Sequence, residues 1–274
     1  MSLLTFTGVK QMIATMQHNI EIIPIPAFED NYIWLIHNGK QALVVDPGDA
    51  MPVFARLKQF NLTLSTILIT HHHHDHIDGV GQLRAAFPEV KIYAPKLEQY
   101  RFVHTPVSEP DIVTISALNL SFKVIDVPGH TFGHIAYYAE PAAGSHWLFS
   151  GDVLFGAGCG RVPEESYAIA YQSLQKLAAL PTSTQVYCTH EYTLQNIRFA
   201  LTLEPNNPAL IMRFNETRHC RDSNVPSLPT TIDLEFATNP YLRCASDEIR
   251  SSLKMNDEDD AAVFRAIRIL KDNY

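Results

Sequence analysis

Seven consecutive residues, Thr70-His71-His72-His73-His74-Asp75-His76, directly follow the apolar run Leu64-Ser65-Thr66-Ile67-Leu68-Ile69. Imidazole and carboxylate are the donors that divalent zinc, iron and manganese share. The segment reads H-x-H-x-D-H, which makes His71, His73, Asp75 and His76 candidate ligands. Alternation fans side chains off a strand end, so donors this dense serve more than one ion. A terminal histidine run would read as an appended tag, but this one is internal and broken by an aspartate.

Further donors lie downstream in the same context. His130 closes the stretch Leu120 to Gly129, Asp152 follows His146 to Gly151, and His190 follows Gln185 to Thr189. Each is an apolar or β-rich run with a His or Asp at its C-terminal end. In layered α/β folds, sites assemble at such strand ends along one sheet edge. Seven donors suit two metal ions. His71, His73 and His130 serve one, Asp75, His76 and His190 serve the other, and Asp152 bridges them.

Between these points the chain mixes strands and helices. Tyr32–Ile36 and Ala42–Val45 flank an Asn-Gly turn signal at Asn38-Gly39. Helical patterns cover 52–59, 79–87 and 166–180. After His190 the patterns turn helical, with helices expected over 208–218, 247–254 and 258–271, Ser246 and Asp257 as caps, and a loop over 223–231. Periodicity alone says mixed α/β followed by a helical region.

The repeated donor pattern resembles the metallo-β-lactamase superfamily, and within it the glyoxalase II (hydroxyacylglutathione hydrolase) branch. The resembling stretches include Phe28 to Trp34, Val44 to Ala50, the histidine cluster, Pro128 to Ile135, Ser150-Gly151-Asp152 and Gly158-Cys159-Gly160-Arg161. They continue with His190-Glu191-Tyr192-Thr193, Ala237 to Arg243, and Arg268 to Asp272. The resemblance implies an αββα two-sheet sandwich with a C-terminal helical domain. It divides the chain into a disordered extension over 1–17, a catalytic domain over 18–190 and a helical glutathione-binding domain over 191–274. It also implies hydrolysis of S-D-lactoylglutathione to D-lactate and glutathione, the second step of methylglyoxal detoxification, by a hydroxide on two divalent metals. Zinc is the expected metal, with iron or manganese as substitutes. Asp75 and Asp152 are the catalytic carboxylates, and Arg161, Tyr192, Asn196, Arg268 and Lys271 are the expected glutathione contacts. The alternative is another enzyme of the superfamily, a persulfide dioxygenase or a lactonase.

The remaining positions refine this. His72 and His74 fall in non-ligand slots, and His134 is expected to close a turn behind His130. Asp46 and Asp49 are candidates to orient ligand histidines or to serve as ordinary turn residues. Cys159 reads as a small residue in a glycine-flanked turn. The family pattern usually places an aromatic two residues after Arg161, then an acidic residue and a glycine. Here Pro163-Glu164-Glu165 stand in those places, which alters the expected glutathione pocket.

Composition narrows the partners. A formal charge of −8 over 274 residues argues against nucleic acid. No apolar run approaches the ~20 residues of a membrane span. Four widely spaced cysteines without a C-x-x-C pair argue against a disulfide framework and for a reducing cytoplasm. The first fifteen residues carry one Lys and no leader pattern. A monomer is expected.

Overall fold

The structure is a computed structural model that describes residues 20–142 and 144–274. The extension expected over 1–17 lies outside the described residues. Two six-stranded sheets face each other. The first runs in order through β1 (Glu21–Ala27), β2 (Asn31–His37), β3 (Gln41–Val45), β4 (Thr63–Leu68), β5 (Lys91–Pro95) and β6 (Thr105–Val107). Strands β3 to β6 are mutually parallel, whereas β1–β2 and β2–β3 are antiparallel. The second sheet holds β7 (Ile112–Ile115), β8 (Leu120–Asp126), β9 (Ile135–Ala142) and β10 (Ser145–Gly151). A small ladder of β11 (Leu154–Phe155) and β12 (Gly158–Cys159) follows. The second sheet is then completed by β13 (Gln185–Cys188) and β14 (Thr230–Thr231).

The strands' two-residue period builds the layers. Tyr32, Trp34 and Ile36 on β2 point inward, with Leu43 and Val45, to meet Phe122, Val124, Tyr137 and Phe149 of the second sheet. Ile33 and Leu35, from the other face of β2, pack with Val53 and Leu57 of α1 (Ala50–Gln59). Because β2 is covered on both faces, all seven of its residues are buried, as a central strand between two layers requires. The same outer layer holds the short α2 (His74–Ile77) and α3 (Val80–Ala86). On the far side, α4 (Tyr167–Ala178) covers the second sheet. This is the expected αββα sandwich.

The helical region comprises α5 (Thr193–Leu203), α6 (Pro208–Asp222), α7 (Ile232–Thr238), α8 (Asp247–Leu253) and α9 (Asp260–Asp272). It shares a core with the sandwich: Phe199, Tyr241, Val263, Phe264 and Ile267 pack with Val127, Leu148 and Leu174. Two local expectations change. The loop expected over 223–231 ends in β14, which pairs with β13. Asp259, not Asp257, caps α9 by accepting a hydrogen bond from Ala262 N–H. Ser246 sits at the N-cap of α8, but its hydroxyl bonds Glu204.

All four cysteines are free. Burial pushes up the thiols of Cys159, Cys188 and Cys244, the last to about 12, while Cys220 is partly exposed. One fast-reacting thiol, at Cys220, is therefore expected with Ellman's reagent at pH 8, and all four after denaturation. Two or more fast thiols in the native protein would contradict this packing.

Candidate metal centre and its cleft

The seven donors meet at one edge of the sandwich. His71 follows β4, Asp152 follows β10 and His190 follows β13, while His130 lies in the loop leaving β8. The expectation that strand alternation alone fans out the first cluster is corrected. Residues 74–77 form a helical turn, which delivers Asp75 and His76 to the same side; on a strand, these neighbours would point to opposite faces.

Three groups of donor atoms lie within 4.8 Å of one another: His71, His73 and His130; His71, His76 and Asp152; and Asp75, His76 and His190. His73 Nδ1 is 3.0 Å from both His71 Nε2 and His130 Nε2. Asp75 Oδ2 is 3.5 Å from both His76 Nε2 and His190 Nε2. Asp152 stands between the groups, with Oδ2 3.4 Å from His130 Nε2 and 3.3 Å from His190 Nε2, and Oδ1 3.4 Å from His76 Nε2. Ligand atoms about 2.1 Å from a tetrahedral ion lie roughly 3.4 Å apart, so these spacings suit a shared cation. Buried His76 Nε2 and Asp152 Oδ1 have no hydrogen-bond partner among the described residues. Buried polar atoms rarely go unpartnered, and a bound cation would satisfy both. The donor set therefore fits divalent metal.

Surrounding groups fix which ring nitrogen carries each lone pair. His130 Nδ1 donates to the Arg161 carbonyl at 2.7 Å, which frees Nε2 for a ligand. Thr70 Oγ1 donates to Asp46 Oδ2 at 2.7 Å, so at 3.1 Å it accepts from His71 Nδ1–H. His76 Nδ1 lies 3.0 Å from the same Asp46 oxygen. Asp46 thus steers two histidines, from a left-handed backbone at φ 52°. Such a conformation is sparsely populated for a non-glycine residue and is concentrated at functional sites. Asp49 takes the other role open to it and caps α1. His190 Nδ1 meets Asp30 Oδ1 at 2.8 Å, and Asn31 Nδ2 donates to Asp75 Oδ2 at 3.0 Å. Sequence reading gave Asp30 and Asn31 no role, because they stand far along the chain from their partners. The signal that places them is the isolated bridge between Asn31 and His190.

Electrostatics divides the histidines. Burial, reinforced by neighbouring His76, holds the His71 pKa well below its ordinary value. Burial also opposes the charged forms of His76 and His190, yet Asp152 outweighs it at both, helped by Asp46 and Asp30 respectively. His76 is held well above the ordinary value and His190 is raised to about 9. Protons therefore compete with metal for these two rings, so metal affinity should fall with pH.

The other expected positions separate. His134 closes the loop that carries His130 through its carbonyl, which accepts from Val127 N–H at 2.9 Å. Its Nε2 accepts the Asp152 N–H at 3.1 Å, and its ring stacks on His71. His72 faces Glu98, and His74 is largely exposed. Gly151, at φ +51°, lets the chain pass Thr70 and His134 where a Cβ would clash. Tyr192 stacks flat on His190, with ring centroids 4.7 Å apart. Arg161 is exposed on a cleft of about 510 Å³ that also touches His73 and His130. Asn196, expected as a substrate contact, is buried with its amide on the Gly156 carbonyl. Arg268 is not the exposed contact expected of it. It is 5% exposed, with its donors on the Cys159 and Gly160 carbonyls and on Asp272. The Lys271 ammonium lies 5.0 Å from the Phe199 ring centroid and 5.1 Å from that of Tyr274, with no hydrogen-bond partner among the described residues.

Two mixed sheets with helices outside and His and Asp donors on their shared edge define a metallo-β-lactamase fold. The family model for the metallo-beta-lactamase superfamily matches residues 27–190. The chain aligns with the crystal structure of the B3 metallo-beta-lactamase BLEG-1 at a TM-score of 0.59, with 24% identity, over 82% of this chain and 99% of that one. A second model, described as the hydroxyacylglutathione hydrolase C-terminus, matches residues 191–274. The hydroxyacylglutathione hydrolase of Methylobacillus flagellatus is 51% identical over 93% of this chain and 99% of its own length. That of Nitrosomonas eutropha is 46% identical over 93% and 99%. The chain belongs to the hydroxyacylglutathione hydrolase family of the metallo-β-lactamase superfamily.

Proposed function

We propose that this protein hydrolyses the thioester of 2-hydroxyacylglutathiones, S-D-lactoylglutathione foremost, releasing the hydroxy acid and glutathione. The observation that carries this reading is the pair of donor triads gathered around Asp152 at the mouth of the Arg161 cleft. Full-length similarity to named hydroxyacylglutathione hydrolases supports the choice of thiol carrier. In this reading His71, His73 and His130 would hold one divalent ion, Asp75, His76 and His190 would hold a second, and Asp152 would serve both. Bound there, the ions supply a nucleophile from water near neutral pH and polarise the scissile carbonyl. Asp46, Thr70, Asp30 and the Arg161 carbonyl keep the ligand rings in one tautomer and one orientation. A leaving thiolate with a pKa near ~8.5 needs little acid assistance. Cys159 is no competing nucleophile, since burial raises its thiol. The Arg161 guanidinium has no ion-pair partner among the described residues and is free to meet a carboxylate of the thiol carrier.

Zinc suits this donor set, and iron or manganese would enter according to supply. Four free cysteines are consistent with a reducing cytoplasm, where the reaction would complete methylglyoxal detoxification. No helix among the described residues is long and apolar enough to cross a membrane. A dioxygenase or lactonase reading is less favoured, because the C-terminal region matches the hydroxyacylglutathione hydrolase model.

The test is thiol release from S-D-lactoylglutathione, compared with simple thioesters and with lactones. Preference for the glutathione thioester is expected; cleavage of lactones in its place would overturn the reading. The ligand assignment has its own check. His130→Ala and His190→Ala should each lose about half of the bound metal by elemental analysis, because each removes a ligand from a different triad. Two full equivalents in both variants would remove these histidines from the ligand set.

A further inference from the structure

The cleft beside His73 and His130 is walled by Arg161, Pro163, Glu164, Tyr167 and Asp272. Most of its charge is already paired. Asp272 holds Arg268 at 2.9 Å and Glu164 holds Arg265 at 3.1 Å. Tyr167 differs from these groups. It stands at the start of α4, 9% exposed, with its ring packed in the core that includes Val162, Ala170 and Leu174. Its hydroxyl makes no hydrogen bond among the described residues, although the residue lines the cleft. It is not sealed from solvent. A buried tyrosine normally brings its hydroxyl to a partner. Here a ring fixed by core packing belongs to a residue that lines the cleft beside His73 and His130, and its hydroxyl is without a hydrogen bond among the described residues.

The place of Tyr167 in the chain gives this meaning. Pro163 stands where an aromatic was expected, and it begins the 3-10 turn Glu164–Ser166. That turn leads directly into Tyr167, so an aromatic reaches the same wall four residues later. We propose that Tyr167 is a specificity-determining residue that holds the peptide portion of the thiol carrier. Its hydroxyl donates to a peptide carbonyl or carboxylate oxygen, and its ring supplies the apolar wall that Pro163 lacks. This rests on the reading of the cleft as the glutathione side. A small 2-hydroxyacyl group carries no charge. A lining that carries Arg161 together with Glu164 and Asp272 suits a peptide bearing carboxylates and an ammonium.

Tyr167→Phe removes the hydroxyl and keeps the ring, so the fold is preserved. The metal-loaded enzyme and this variant are assayed with S-D-lactoylglutathione and with the lactoyl thioester of 2-mercaptoethanol, which has no peptide. Free glutathione is titrated as a product inhibitor. One hydrogen bond is worth roughly 3- to 10-fold. The variant's KM for S-D-lactoylglutathione and its glutathione Ki should rise together by that factor, with a smaller change in kcat. The loss in kcat/KM should be several-fold larger for the glutathione thioester than for the mercaptoethanol thioester. Unchanged KM and Ki would overturn the proposal, and so would equal losses on both substrates, which would mark Tyr167 as a packing residue alone. A wild-type enzyme that cleaves only the mercaptoethanol thioester would overturn the parent reading and this one with it, and that result shows before any variant is compared.

Discussion

Asp152→Ala should abolish thioester hydrolysis and reduce bound metal below one equivalent. Asp152 stands between both triads: one carboxylate oxygen lies 3.4 Å from His130 Nε2 and 3.3 Å from His190 Nε2. The surrounding imidazoles also define its charge. Burial raises the Asp152 pKa, but His76 and His190 outweigh it and hold the carboxyl well below the usual range. The carboxyl is therefore held in its ionised form, and its negative charge is what favours a positive charge, proton or metal, at His76 and His190. Alanine removes that charge and leaves His76 and His190 without the carboxylate that balances them. Lewis-acid catalysis is worth several kcal/mol, and about 1.4 kcal/mol corresponds to tenfold in rate. The loss in kcat should thus be on the order of 10³ or more. The fold should survive, because the apolar clusters that form the two layers of the sandwich are built from other residues. Far-ultraviolet circular dichroism is the control. A variant that keeps both metals and wild-type turnover would remove Asp152 from the centre.

The same site shows what a sequence can reveal. The candidate donors were legible because strand ends are local: an apolar run followed by His or Asp marks its own terminus, and four such termini meet on one edge. What was not legible is the set of groups that orient the ligands. Asp30 reaches His190 across 160 positions of sequence, and Asp46 reaches His71 only through the Thr70 hydroxyl. Both depend on tertiary register, which no local pattern encodes. The basic end of α9 shows the same limit. Arg268 and Lys271 were expected as contacts of the thiol carrier, and their spacing puts them on one face. In the fold α9 packs against α4, and the Arg268 guanidinium is drawn inward to the carbonyls of Cys159 and Gly160. Helical spacing shows which residues share a face, but not what that face meets.

The largest effect on stability is expected at Glu235, on α7. It is 0% exposed and ion-paired at 2.6 Å to Arg213 of α6, itself 3% exposed. Every oxygen of this carboxylate is used: Oε1 also accepts from the Thr230 hydroxyl, and Oε2 accepts from Ala157 N–H and from Asn239 Nδ2. Asn239 in turn donates to the Gly158 carbonyl. The network thus ties the helical region to the β11–β12 ladder, where Phe155 packs edge-on against His190. Glu235→Ala would leave a buried guanidinium without its counter-ion, bonded only to the Thr238 and Thr230 hydroxyls, and the Ala157 N–H without a partner. Breaking one side of a buried pair costs about 3–5 kcal/mol, and for a chain of this size each kcal/mol lowers Tm by roughly 2–4 °C. A fall of about 10 °C is therefore expected, alongside reduced turnover as Phe155 loses its support. Glu216→Ala, an exposed acid on α6, should stay within about 0.5 kcal/mol of wild type. Thermal unfolding monitored by circular dichroism at fixed metal concentration separates the two. If Glu235→Ala melts with the wild type, the buried pair does not join the helical region to the site, and the helices must be held by their apolar contacts with α4 and the second sheet alone.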